Sequence, residues 1–235
     1  SHMSSIGDNP PDLSRDIIDI AATQLAFAAL RSDGSVVTWG QESYGADSSG
    51  VNVSSGIVEI TAGHKAFAAR KSDGSVVVWG AGQELDGLDE LELTGGVIEV
   101  VSNGAKALSY TDTGAFAALK SDGSVVTWGD SYTGGDSSSV DLSSGVIEVV
   151  PSGEGFAALK SNGSVVAWGG YGFEGNAADI PISVVDVASD VVEVFGNGYA
   201  FAALKSDGSV VTWGTSSYGA DSSSVDLSSG VMAVF

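Results

Sequence analysis

The chain repeats one block of sequence five times, and this repetition limits its possible folds more than any other feature. Each block contains Phe-Ala-Ala, followed by Trp-Gly 12 residues after the Phe. A repeat of this length is one small structural unit that cannot bury its apolar surface alone, so the units must pack on one another. The five repeated tryptophans, expected to pack between units, are Trp39, Trp79, Trp128, Trp168 and Trp213.

Each block has the pattern of three short β-strands. Ile/Val-Glu-Val, Phe-Ala-Ala-Leu-Lys and Ser-Val-Val-Thr-Trp are rich in β-branched and aromatic residues with a period of two. Ser-Asp-Gly, or Ser161-Asn162-Gly163 in the fourth block, separates the second and third segments and predicts a tight hairpin. We predict an all-β domain over residues 14–235. Its units span about 14–40, 54–80, 94–129, 143–169 and 188–214.

The small residues indicate how these units pack. The Ala-Ala pair in every second strand permits close approach of two sheets, and the tryptophan fills the wider gap. Radial stacking of such wedges gives a β-propeller of about five three-stranded blades, which also limits exposed strand edges. The alternative is an open β-solenoid, or a partial ring from a longer array.

The two ends of the sequence fall outside the five-block pattern. Ser1-His2-Met3 resembles the remnant left after cleavage of an affinity tag, so residues 1–13 are interpreted as a tag scar and an N-terminal tail. Residues 230–235 repeat the start of a block and then stop, which gives a sixth copy of the first strand. This strand either fastens the ring by adding to the first blade or pairs with a second molecule, giving strand exchange or a dimer.

Composition excludes several classes of function. The chain has no Cys, and only His64 lies outside the tag scar, so zinc sites of the Cys₄ or Cys₂His₂ type and thiol chemistry are excluded. A net charge of −21 argues against a nucleic-acid partner, and no apolar run is long enough for membrane insertion. Near-identical units give near-identical carboxylate environments, whereas catalysis needs unlike ones. We therefore expect no enzyme activity and no cofactor.

The repeated motif resembles a known family. Phe-Ala-Ala-Leu-Lys-Ser-Asp-Gly-Ser-Val-Val-Thr-Trp-Gly, followed by Ser-Tyr-Gly, is similar to the RCC1 repeat over residues 14–235. The short period is most similar to the bacterial branch typified by β-lactamase inhibitor protein II. The resemblance implies three-stranded blades in a ring and, by analogy, a specific protein inhibitor.

Aromatic residues in the loops after Trp-Gly are the candidate partner-binding residues. They lie among Gly and Ser, a composition suited to adaptable recognition, although each could instead cap its own loop. The tryptophans are a second candidate platform. The candidate loop residues are Tyr44, Tyr132, Tyr171, Phe173 and Tyr218.

One acidic residue recurs in each first strand. In a ring these carboxylates would form a circle, which is either a cation site along the axis or a solvated strand face that discourages aggregation. The recurring acids are Asp19, Glu59, Glu99, Glu148 and Glu193.

These patterns favour a non-catalytic binding or structural repeat module. High acidity and Ser/Gly/Asp-rich loops are typical of a bacterial secreted or surface protein, so we expect an extracellular or cell-surface location and a protein or glycan partner. The alternatives are the inhibitor implied by the resemblance and a multivalent lectin with one shallow sugar site per blade.

Overall fold

The chain folds as five three-stranded antiparallel sheets, each formed by one repeat. The computed structural model describes Leu13 and residues 16–82, 85–88, 93–104, 114–170, 187, 189–232 and 234. In every sheet the second strand lies between the first and the third, in sequence order. The fold is therefore the all-β arrangement of blades that the repeat predicts.

The strands have nearly the same length in all five sheets. The first strands are β1 (Ile17–Ala22), β4 (Ile57–Ala62), β7 (Val97–Ser102), β10 (Val146–Pro151) and β13 (Val191–Gly196). The second strands are β2 (Ala26–Arg31), β5 (Ala66–Lys71), β8 (Ala115–Lys120), β11 (Gly155–Lys160) and β14 (Ala200–Lys205). The third strands are β3 (Val36–Gly40), β6 (Val76–Gly80), β9 (Val125–Gly129), β12 (Val165–Gly169) and β15 (Val210–Gly214).

A cross-strand aromatic pair fixes the register of each hairpin. Phe116 on β8 is paired with Trp128 on β9, and their rings stack with centroids 5.2 Å apart. The same stack, at 5.3–5.4 Å, occurs in the other four sheets. Stacked pairs of this kind add about 0.5–1.5 kcal/mol beyond their area burial. A one-residue slip would break the pair and exchange the two faces of the sheet.

Each first strand carries a bulge at its second residue. The register between β1 and β2 shifts between Ile17 and Asp19, and the other four first strands shift at the equivalent place. The bulged side chain points to solvent in all five sheets. The exposed bulge residues are Ile18, Val58, Ile98, Ile147 and Val192.

Consecutive sheets pack face to face through two different surfaces, which the third sheet illustrates. Its leading face, which contacts the preceding sheet, carries the Phe–Trp stack together with residues such as Val100. Its trailing face, which contacts the following sheet, carries Ala115, Ala117 and Leu119. Small residues on one face therefore receive the large aromatic side chains of the next. Four such interfaces join the five sheets in sequence order.

The long connection after each third strand protects an edge of its sheet. In the first sheet the backbone N–H of Val36 donates to the carbonyl oxygen of Val53 at 2.9 Å, and the Thr38 hydroxyl donates to the carbonyl of Ala46 at 2.6 Å. The connection thus runs back along β3 and covers polar groups that would otherwise offer pairing to another strand.

A glycine in each hairpin turn joins one sheet to the next. The Gly34 carbonyl accepts a hydrogen bond from the N–H of Ile57, the first residue of β4, at 3.0 Å. The last unit makes the same bond, from the N–H of Val231 to the Gly208 carbonyl at 2.9 Å. Residues 231, 232 and 234 nevertheless form no strand, and Met232 is exposed. Among its described residues, the predicted sixth first strand is therefore held by the bond at Val231 and does not form a strand.

The leading face of the first sheet is uncovered, and the trailing face of the last sheet is partly exposed at one residue. Phe27, on the leading face of the first sheet, is 44% exposed, whereas its counterparts in the other sheets are at most 2% exposed. In the last sheet, Ala202 is only partly buried, whereas its counterparts are completely buried. In the described residues the five sheets therefore do not close into a complete ring, which is consistent with a propeller-like arrangement of blades. In the described part of the chain, no helix has the length and apolar character needed to span a membrane.

Candidate binding site on the loop rim

Two sets of loops open at the same end of every blade. In a three-stranded antiparallel sheet, the end of the first strand, the start of the second and the end of the third are adjacent. We call this end the loop rim. Its described residues are 23–25, 63–65, 103–104, 114, 152–154 and 197–199 after the first strands, and 41–46, 81–82, 85–88, 130–135, 170 and 215–220 after the third strands.

Short 3-10 turns carry the candidate tyrosines in the first, third and fifth units. These turns are Glu42–Tyr44, Ser131–Thr133 and Ser216–Tyr218. A glycine with positive φ follows each turn, and Gly134, for example, has φ of 107°. A side chain at that position would meet the Phe156 ring at 2.8 Å, so only glycine fits there.

A polar side chain after the first strand anchors each of these turns. The Thr23 hydroxyl donates to the Tyr44 carbonyl at 2.8 Å. The Asn103 amide donates to the Thr133 carbonyl at 2.6 Å, and the Asn197 amide donates to the Tyr218 carbonyl at 3.0 Å. The two loop sets of a unit are therefore tied together, which restricts the conformations of the rim before any partner binds.

The tryptophan of the following blade donates a hydrogen bond to the 3-10 turn of the first and third units. Trp79 donates from Nε1 to the Gly45 carbonyl at 3.0 Å, and Trp168 makes the same bond to Gly134. The tryptophan thus fills the interface between blades and also positions the rim. Of the five repeated tryptophans, Trp79, Trp128, Trp168 and Trp213 are buried, whereas Trp39, on the uncovered face, is only partly buried.

The described tyrosines have different surroundings. Tyr132 and Tyr218 are about half exposed, and Tyr218 contacts the Tyr199 ring with centroids 4.4 Å apart. Tyr44 is partly buried; its ring lies 6.4 Å from the His64 ring and 5.5 Å from the Lys65 ammonium nitrogen. The candidates Tyr171 and Phe173 lie outside the described residues.

One rim position differs in all five units. The residues immediately before the second strands are, from the first unit to the fifth, Leu25, Lys65, Gly114, Glu154 and Tyr199. Partial burial raises the pKa of the Glu154 carboxyl above its usual range. The opposite end carries the nearly invariant Ser-Asp-Gly-Ser turn. The sequence therefore keeps the turns constant and varies the rim.

The repeated acids form a row across the first strands. Glu59 pairs with Arg70 at 2.8 Å. Burial, and then the charges of Glu59 and Glu148, raise the pKa of Glu99. Burial, and then Glu193, raise the pKa of Glu148. The neighbouring carboxylates therefore repel one another. In the described residues, no group of three or more His, Asp or Glu side chains is arranged to hold a metal ion, so a cation site for the row stays a prediction without geometric support.

Two rim and row residues were not singled out from the sequence. Tyr199 lies before a second strand rather than after Trp-Gly, so the pattern of the Trp-Gly loops does not indicate it. Arg70 stands where the other four second strands have Leu, and this departure from the repeat was a usable signal. Both residues show that differences between units carry more information about the site than the shared motif does.

Taken together, these features define a repeat protein built from β-propeller blades. Among solved structures, it is similar to the ectodomain of the receptor kinase CR4 from Physcomitrella patens. The identity is 16% and the TM-score 0.52, over 88% of this chain and 52% of that one. It is also similar to yeast RCC1 (Prp20), solved with Kap60, with 16% identity and a TM-score of 0.50 over 85% and 56% of the two chains.

The chain thus spans about half the length of each of these two structures. At these identities the likeness shows the fold alone, which is an RCC1-like arrangement of propeller blades. No protein-family model and no curated protein matches the chain.

Proposed function

We propose that this chain is a non-catalytic binding module that recognises a protein partner through the loop rim. One observation carries the proposal: most differences between the described units lie at this end and in the last two residues of the first strands that lead into it, whereas the second and third strands and the opposite turns are nearly identical. Packing explains the constant residues, because every blade must fit the next. It does not explain why Leu25, Lys65, Glu154 and Tyr199 occupy one structural position.

The chemistry of the rim suits a protein surface. Tyr132 and Tyr218 present exposed aromatic rings on turns that hydrogen bonds restrain, so little conformational entropy is lost when a partner packs on them. Glu154 and Lys65 add one charge of each sign. A partner of positive net charge is favoured, since the whole chain carries −21.

The solved relatives support the class of partner. The RCC1 structure contains Kap60, and another structure of the same yeast protein addresses its binding to Gsp1p and histones, so a propeller of this type binds proteins there. A bacterial secreted or cell-surface protein remains our proposal for the source of this chain, supported by its acidity and its Ser/Gly/Asp-rich loops.

Selection from a random peptide library on phage tests the rim directly. Peptides selected on the wild-type chain are expected to lose binding to Tyr132→Ala, Tyr218→Ala and their double variant. Both side chains are about half exposed and lie in surface turns, so the folded structure is retained, as circular dichroism checks. Peptides enriched in Lys, Arg and aromatic residues are expected.

A variant at the opposite end provides the matched control. Asn162→Asp restores the turn sequence of the other four units and leaves the rim unchanged, so selected peptides should bind it as they bind the wild type. Peptides that bind the rim variants normally but fail on Asn162→Asp would overturn the proposal. Glycan-array binding would instead indicate the lectin, and inhibition of a β-lactamase panel would indicate the inhibitor.

A further inference from the structure

The first and last sheets carry unpartnered faces that match one another. The leading face of the first sheet exposes Ile20 and Phe27, at 54% and 44%. Their counterparts at the four internal interfaces are at most 7% exposed. The leading face of the first sheet therefore has the residues of an interface without its covering sheet. These counterparts are Ile60, Val100, Val149 and Val194 for Ile20, and Phe67, Phe116, Phe156 and Phe201 for Phe27.

The trailing side of the last unit has the complementary residues. Ala200, Ala202 and Leu204 repeat the small-residue face that receives the Phe–Trp stack at every internal interface. Val225, in the connection after β15, is exposed, whereas its counterpart Val140 packs against the core between the third and fourth sheets. Ala200 and Leu204 are buried within the molecule, so Ala202 and Val225 are the residues of this face that are more exposed than their internal counterparts.

A specific hydrogen bond is also available across these two faces. Internally, Trp79 and Trp168 donate to the glycine carbonyl that ends the 3-10 turn of the preceding unit. Gly219 ends the equivalent turn of the last unit, and no blade follows it in the described chain. Trp39, in the first blade, has no preceding turn among the described residues. The indole of one molecule therefore matches the Gly219 carbonyl of another.

From these observations we propose that the chain binds a second copy of itself head to tail. The trailing face of the last sheet in one molecule packs on the leading face of the first sheet in the next, and it reproduces the internal blade interface. The contact is made by the outer faces of the two sheets and shares only the Gly219 carbonyl with the loop rim, so the proposal does not depend on the proposed function. Each molecule keeps one open face of each kind, and such a heterologous contact extends into larger assemblies.

Residues 231–235 begin where the neighbour's β1 would lie in this arrangement. The described residues among them, 231, 232 and 234, form no strand, and Val231 makes the bond to Gly208, whereas β1 is paired with β2 on either side of its bulge. In the proposed contact the neighbour's β1 takes this place, and its first residue replaces Val231 as the donor to the Gly208 carbonyl.

Sedimentation velocity over a concentration series tests the contact with two variants. Ile20→Glu places a charge in the leading face and Val225→Glu places one in the trailing face. Both side chains are exposed in the single molecule, so the fold is retained. Each variant should weaken self-association by about tenfold or more, because a buried unpaired charge is costly. Ile18→Glu, at the neighbouring bulge position that is exposed in every unit, should associate as the wild type does.

Mixing the two variants gives the decisive result. In an equimolar mixture, the intact trailing face of the Ile20→Glu variant can bind the intact leading face of the Val225→Glu variant. The two remaining faces of this pair each carry a glutamate, so the mixture should form dimers and nothing larger. The wild type should form larger species, and added salt should strengthen its association by screening the like net charges. A wild type that stays monomeric at every concentration would overturn the proposal, as would a mixture that stays monomeric. Loss of association after deletion of residues 231–235 would overturn it in favour of strand exchange.

Discussion

At the scale of single residues, burial rather than sequence decides what the repeated side chains contribute. Phe116 and Phe27 occupy the same position, have the same neighbours in sequence and stack on their tryptophans at similar distances. Phe116 is completely buried because a preceding sheet covers it, whereas Phe27 is 44% exposed. The two residues thus form a natural comparison in which only the interface between blades differs.

We expect Phe116→Ala to destabilise the chain by about 3–5 kcal/mol, the usual cost of truncating a buried aromatic residue. The matched variant Phe27→Ala should cost less than half as much, because much of its ring is already in water. Urea unfolding followed by tryptophan fluorescence, at a concentration where the chain is monomeric, gives both values. Equal losses would show that the stack within one sheet, and not the packing between sheets, supplies the stability.

The residue scale also shows where sequence reasoning succeeds and where it ends. Period-two strands, the Asp-Gly turns and the Trp-Gly spacing predicted the five sheets, because local patterns determine hairpins. The surroundings of the rim residues did not follow from the sequence. Tyr44 packs beside His64 and Lys65, and Tyr218 packs on Tyr199, because the relative placement of loops depends on tertiary contacts. Which side chains remain exposed at the rim depends on those same contacts.

At the scale of the strand and its turn, the hairpin glycines set the spacing between blades. Gly34 and Gly56 have almost identical positive φ values, 78° and 79°. A Cβ on Gly34 would lie 2.7 Å from the Gly56 backbone nitrogen, whereas a Cβ on Gly56 would have no atom within 4 Å. Both positions therefore carry the same backbone strain for a larger residue, but only Gly34 adds a collision with the next unit.

Gly56→Ala should cost about 1–2 kcal/mol, the price of a left-handed conformation for a residue with a Cβ. Gly34→Ala should cost clearly more, because the turn must move away from Gly56 and weaken the hydrogen bond to Ile57. Urea midpoints of the two variants measure the difference. If the midpoints coincide, the turn and the next strand adjust freely, and the close approach does not define the distance between blades.

At the scale of the whole molecule, the repeat places an acidic side chain at the same position in every blade, so the carboxylates of neighbouring blades influence one another. Burial first, and then Glu59 and Glu148, raise the pKa of Glu99 above its ordinary value of 4.5. An acid with a higher pKa in the folded state favours folding at low pH, and this contribution is lost as the pH rises from 4.5 through the folded pKa. The turn residue Asp73 acts in the opposite sense. Hydrogen bonds from the Ser75 hydroxyl and backbone N–H lower its pKa, so its contribution is lost as the pH falls through 3.8 and below.

The melting temperature should therefore be highest near pH 4.5 and should decrease both toward neutral pH and at stronger acidity. Glu99→Gln should raise the melting temperature at pH 7 and flatten the decrease between pH 4.5 and 7, because it removes a carboxylate that its neighbours repel. Glu42→Gln removes the same charge from an exposed turn outside the row, so it controls for net charge. Circular dichroism measures the melting temperature of each variant as a function of pH. A low protein concentration limits association near the isoelectric point of about 4.1.

Equal effects of the two variants would mean that the overall charge of −21 sets the pH dependence. A larger effect of Glu99→Gln assigns it to the row of carboxylates that the repeat brings together.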